Sequence, residues 1–161
     1  MKRKFTEQHK KNISIACKGR KTWSKGKKMS KDSLYKNMKA HLKYDVELDW
    51  LRKFDDVEKL KYLNNCISRK RDYIGFNDKV YIEYIEKFYY DEAFNKYFNK
   101  WIETGDKWIK PSLDHIQAKS KGGSRLVDNL QFLSWFENRA KNDIPIVVWN
   151  KMKNNIKDYL L

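Results

Sequence analysis

Two hydrophobic rhythms run along the chain, and they change over at Gly105. Upstream, apolar residues recur at three- and four-residue intervals, which line up on one face of a helix. Thr6 is placed to cap EQHKKNISIACK, with Gly19 as its stop. SKDSLYKNMKAHL, residues 30–42, sets Leu34, Met38 and Leu42 on one face. DDVEKLKYLNNCIS repeats Leu60, Leu63 and Ile67, and NDKVYIEYIEKFYY brings Val80, Tyr84, Ile85 and Phe88 together. Phe94, Tyr97, Phe98, Trp101 and Ile102 then form a regular stripe, which Gly105 ends. Stripes of this kind read as core, so residues 30–104 are expected to form a helical scaffold.

Beyond Gly105 the helical spacing disappears. WIKPSLDHIQA alternates poorly and holds Pro111, so it is expected to be extended. SKGGS reads as a loop in which Gly122 and Gly123 supply backbone freedom. LQFLS is short and apolar, a second strand. Ser134 and Glu137 have capping-box spacing, which predicts a helix from Trp135. A last helix is expected over Pro145–Tyr159, with Trp149, Met152 and Ile156 facing inward. The fold class is therefore α+β and mostly helical, with strand, loop, strand and helix in sequence near the C-terminus.

Length and composition narrow the picture. The chain has 161 residues, 40% of them hydrophobic and 15% aromatic, which suits one domain, or one domain with an appendage. The apolar run IPIVVW falls far short of a membrane span. The N-terminus lacks an apolar signal core, so a cytoplasmic protein is expected. Cys17 and Cys66 are far apart and outside any CxxC pair, which argues against a cysteine zinc site or a disulfide framework.

Charge changes the picture most. The net charge is +15, and residues 1–43 hold fifteen Lys/Arg against Glu7 and Asp32, a net +13. The remaining residues hold 21 Lys/Arg against 19 acids, a net +2. A nearly neutral domain thus carries a basic arm. Such arms bind polyanions by releasing condensed counterions. This arm lacks the sustained apolar face of a membrane-surface helix, so nucleic acid is the expected partner and a membrane is not.

The strand–loop–strand–helix region concentrates candidate chemistry. Asp114 and His115 fall on the first strand, Asn129 precedes the second, and Asn138 lies on the first turn of the next helix. LDHI, KGG, NLQFL and ENRAK in this order resemble the ββα-metal motif of HNH endonucleases in their His-Asn-Asn variant. The resemblance implies that His115 is the general base that activates water, that Asp114 and Asn138 ligate a metal, and that Asn129 braces the loop and holds the imidazole in position. The chemistry agrees. Histidine takes up a proton near neutral pH, and a hard cation with oxygen ligands relieves charge on a phosphate and its leaving oxygen. Asparagine at the third position favours Mg²⁺ or Mn²⁺ over zinc. Hydrolysis would leave a 5′-phosphate and a 3′-hydroxyl. Neighbouring strand residues point to opposite faces, so Asp114 and His115 can share a site only where the strand ends or kinks.

The arm carries a second resemblance. Ser14, Gly19 and the tract Trp23-Ser-Lys-Gly26-Lys27 are similar to nuclease-associated modular domains of the third type, found in phage and intron homing endonucleases. The resemblance implies that Lys18, Arg20, Lys21, Trp23, Lys25, Lys27 and Lys28 contact double-stranded DNA along its backbone and minor groove. The expected organisation is a DNA-binding arm at 1–29, a helical scaffold at 30–104 and a nuclease domain at 105–161. It would be a monomer on DNA with no obligate protein partner, acting in a host cytoplasm as a site-specific homing endonuclease. Two other functions compete with it: a restriction-type HNH nuclease cutting a short palindrome as a dimer, and a DNA-binding protein or repressor that has kept the fold and lost catalysis.

Overall fold

The computed structural model of the chain describes residues 6–18, 28–68 and 77–159. It is α+β and mostly helical, and it divides into two compact units, Met1–Ser30 and Lys31–Leu161. In the first unit, helix α1 spans Glu7–Cys17, and the Thr6 side chain accepts from the His9 amide as the expected cap. All its side chains are exposed, as its charge demands. Gly19, the expected stop, lies outside the described residues.

The second unit opens with α2 (Lys31–His41), α3 (Leu48–Arg52), α4 (Val57–Ser68), α5 (Asp78–Tyr89) and α6 (Glu92–Thr104). Strand β1 (Pro111–His115), strand β2 (Leu130–Ser134), α7 (Trp135–Lys141) and α8 (Ile146–Tyr159) follow. Short 3-10 turns at Lys119–Lys121 and Val127–Asn129 lie between the strands. Among the described residues, no helix is long and apolar enough to cross a membrane.

The helical stripes build the core much as their spacing predicts. Leu60, Leu63 and Ile67 of α4 pack with Tyr84, Ile85 and Phe88 of α5 and with Phe94 and Phe98 of α6. Burying one such side chain contributes roughly 1.5–3 kcal/mol. Each helix ends where local chemistry ends it. The Asn77 and Asp91 side chains cap α5 and α6, and Gly105 closes α6 in the left-handed conformation at φ 69°. Two apolar positions depart from expectation. Ile102 is 63% exposed because the buried face of α6 follows Phe94 and Phe98 and leaves it on the flank. Met152 of α8 is also exposed, whereas Trp149 is buried. The side chain of Ile156 lies outside the described residues.

The two strands form an antiparallel pair in which His115 faces Leu130 and Pro111 faces Ser134. Their apolar face rests on the scaffold. The ring of Phe132 packs 5.1 Å from Phe88 and 4.7 Å from Phe94, centroid to centroid. Lys87 of α5 donates to the Val127 carbonyl at 2.8 Å, and the Tyr62 hydroxyl of α4 donates to the Pro111 carbonyl. The helical scaffold thus holds the sheet from beneath, at its middle and near both ends of the pair.

Candidate active site

The capping box starts α7 directly from β2. Ser134 Oγ accepts from the Glu137 amide at 3.1 Å, and the Glu137 carboxylate accepts from the Ser134 amide at 3.2 Å. With no linker between them, α7 folds back across the strands, and its inner face meets β1. Asn138 Nδ2 donates to Ser112 Oγ at 2.8 Å and to the Leu113 carbonyl at 3.2 Å. One turn on, Lys141 Nζ reaches Asp114 Oδ2 at 2.9 Å and the His115 carbonyl at 3.0 Å.

These contacts bring three of the expected residues to one cavity. Asp114, His115 and Asn138 line a cavity of about 520 Å³, together with Arg139, Lys119 and Asp143. Asp114 and His115 are neighbours on β1, yet both reach it. The burial pattern alternates along β1, with His115 8% exposed and Asp114 half-buried. Strand β1 ends at His115, so the cavity lies at the strand end; the Asp114 face of the strand is the more open one, and His115 Nε2 itself is buried from solvent.

Asn129 does not line the cavity; it shapes the loop that leaves His115. Its carbonyl accepts from the Ile116 amide at 2.9 Å, continuing the ladder one step past the strand. Its side chain then takes over: Oδ1 accepts from the Gln117 amide at 2.9 Å, and Nδ2 donates to the Gln117 carbonyl at 3.1 Å and the Ser124 carbonyl at 2.7 Å. The loop closes tightly around it. Gly122 sits at φ 78°, where side chains are strained. Gly123 approaches so closely that a Cβ there would lie 1.9 Å from the Gln117 carbonyl oxygen. The two glycines therefore serve different needs, one a backbone angle and the other a close approach.

Sequence reasoning missed Lys141, Gln131 and Arg139. Lys141 is 0% exposed, at a position where a lysine reads as part of a solvated basic face. Its signal was its place three residues after Asn138, on the same side of the helix. Gln131 is the partner of Asp114 across the strands and donates to its Oδ2 at 2.9 Å. Arg139 lines the cavity, with its guanidinium 4.4 Å from the centroid of the Trp135 ring.

The donor set suits a hard cation. Asn138 commits its amide nitrogen to Ser112 and Leu113, so the atom it offers a ligand is its oxygen. Gln131 and Lys141 engage Oδ2 of Asp114, which leaves Oδ1 clear of both donors. Two protein oxygens leave room for phosphate and water around Mg²⁺. Among the described residues, no group of three or more His, Cys, Asp or Glu is placed to hold a metal, so the donors here do not form an all-protein cage. Of the expected DNA contacts, Lys18 and Lys28 are exposed; Arg20, Lys21, Trp23, Lys25 and Lys27 lie outside the described residues. Comparison of the chain with protein-family models, curated proteins and solved structures finds no match in any of the three.

Proposed function

We propose that the chain is a divalent-metal-dependent DNA endonuclease built on a ββα-metal site of the HNH type in its His-Asn-Asn variant, and that it works as a homing enzyme with a DNA-binding arm. One observation carries the reading: Asp114 and His115 of β1 and the sequence-distant Asn138 of α7 line a single cavity. In the nuclease reading His115 takes a proton from the attacking water. Asp114 and Asn138 would hold the cation, which when bound supplies charge relief to the phosphate and the departing 3′ oxygen. Arg139 and Lys119 line the same cavity and offer positive charge to the phosphate. Asn129 and Lys141 hold the backbone that follows the imidazole, through Gln117 and through the His115 carbonyl. Hydrolysis would leave a 5′-phosphate and a 3′-hydroxyl.

One observation favours a competing reading. The Lys141 ammonium already compensates Asp114 without a metal, as it would in a DNA-binding protein that had kept the fold and lost catalysis. The two readings separate on supercoiled DNA incubated with the full chain in Mg²⁺ or in EDTA. Nicked or linear product in Mg²⁺ alone supports the endonuclease. Tight binding with no product from any DNA in Mg²⁺ or Mn²⁺ supports the binding protein.

A further inference from the structure

A second groove also has Asn138 in its wall. It has a volume of about 680 Å³, within the range of small-molecule sites. It shares Asn138 and Arg139 with the candidate active site, so the two cavities adjoin. Its walls are aromatic: Tyr62 from α4, Trp101 from α6 and Trp135 from α7, each half-buried. Among the described residues, the charged side chains lining it are Lys110 and Arg139, both cationic, whereas the candidate active site also holds Asp114 and Asp143. Lys110 Nζ lies 4.8 Å from the Trp101 ring centroid, and the Arg139 guanidinium lies 4.4 Å from that of Trp135.

Half-exposed indoles beside cations are what a single-stranded nucleic acid meets on its binding proteins. The bases stack on the rings and the phosphates meet the charge. Helix packing alone accounts for the buried Phe94 and Phe98 on the same face of α6, but it does not call for a cationic, open groove above Trp101. Within a duplex the neighbouring bases cover both faces of a base, so an occupant that meets an indole face must be unstacked.

We propose that this groove seats one unstacked nucleotide of the DNA strand, next to the phosphate held at the candidate active site, with its base against Trp101 or Trp135 and its phosphate against Lys110 and Arg139. The proposal rests on the nucleic-acid reading of that site. It makes the groove a device that bends or opens the substrate beside the cut.

The test is binding of the full chain, in EDTA, to a fluorescein-labelled single-stranded DNA oligonucleotide. The comparison is an abasic strand of the same length, which keeps the phosphates and lacks the bases. Wild type is expected to bind the base-bearing strand at least about fivefold more tightly. Trp135→Ala and Trp101→Ala are expected to shrink that ratio toward one and leave abasic binding unchanged. Trp135→Leu, which keeps apolar bulk, serves if Trp135→Ala fails to fold. Equal affinity of wild type for both strands, or an unchanged ratio in the folded variants, would overturn the proposal. Cleavage of plasmid DNA in Mg²⁺ judges the nuclease reading separately. A base-dependent ratio without cleavage retains the groove and removes the nuclease; cleavage without the ratio does the reverse.

Discussion

Lys141 is a fully buried lysine whose ammonium lies 2.9 Å from Asp114, the carboxylate that faces the candidate site. It also holds the carbonyl of His115, so one side chain of α7 fastens two successive residues of β1. A buried charge is tolerated only when paired and hydrogen-bonded, and this one is both. The pair thus links the charge of the site to the geometry of the strand end.

Removing Lys141 leaves the half-buried Asp114 carboxylate without its cation. Lys141→Met is expected to lower stability by about 3–5 kcal/mol. Adding Asp114→Asn to Lys141→Met should recover part of that loss, because the residual group is then neutral. Urea denaturation of the two single variants and the double variant measures the coupling. Strictly additive losses would mean that the pair does not act as a unit.

The loop after His115 depends on Asn129 and on the closeness of Gly123. Asn129→Ala removes three side-chain hydrogen bonds and is expected to cost about 1–3 kcal/mol locally. It should expose the Gln117 amide to hydrogen exchange while the α5 and α6 amides stay protected. Gly122→Ala has open space around its Cβ and pays only for its backbone angle, about 1–2 kcal/mol. Gly123→Ala must push the Gln117 carbonyl aside and should be the more harmful of the two. Thermal melts of the paired variants decide the order.

Glu137 gives the α7 start a pH dependence. Burial works against its charged form, but hydrogen bonds from Lys153, Tyr97 and the Ser134 amide outweigh that and hold its carboxyl at about 2, below its ordinary value of 4.5. A carboxyl lowered on folding contributes stability that is complete above its ordinary value and is lost as pH falls toward the folded value. Wild type should therefore exceed Glu137→Gln in urea midpoint above about pH 5, and the gap should close between pH 4.5 and 2. A gap independent of pH would mean that the carboxylate's charge contributes nothing.

The basic arm should appear in salt titrations. Six cations at 18–28 are expected to meet phosphates, and each contact adds roughly 0.9 to the slope of log affinity against log salt. Deleting residues 1–29 should therefore reduce that slope by up to about 5. An unchanged slope would show that the arm does not contact DNA.

Much of this was legible from residue patterns, for physical reasons. β2 and α7 fall where the apolar run and the capping box put them, because both signals are local. The core faces of α4 and α5 follow from helical period alone. Asp114, His115 and Asn138 could be picked out as candidates, but their meeting in one cavity depends on where β1 stops and how α7 folds back, which only tertiary contacts set. Lys141 escaped notice because composition treats lysine as solvent-facing, and its burial depends on a partner across the fold. Ile102 and Met152 misled for the opposite reason: their spacing fits a stripe wider than the neighbouring elements cover.

The most direct test of the central claim is the single-turnover cleavage rate of DNA already bound to the protein, in Mg²⁺, for wild type and His115→Ala. Positioned acid–base groups contribute about 10²- to 10⁴-fold, so a loss of that size with DNA affinity unchanged is the expected result. His115→Ala cleaving bound DNA at the wild-type rate would contradict the account and move the active site elsewhere.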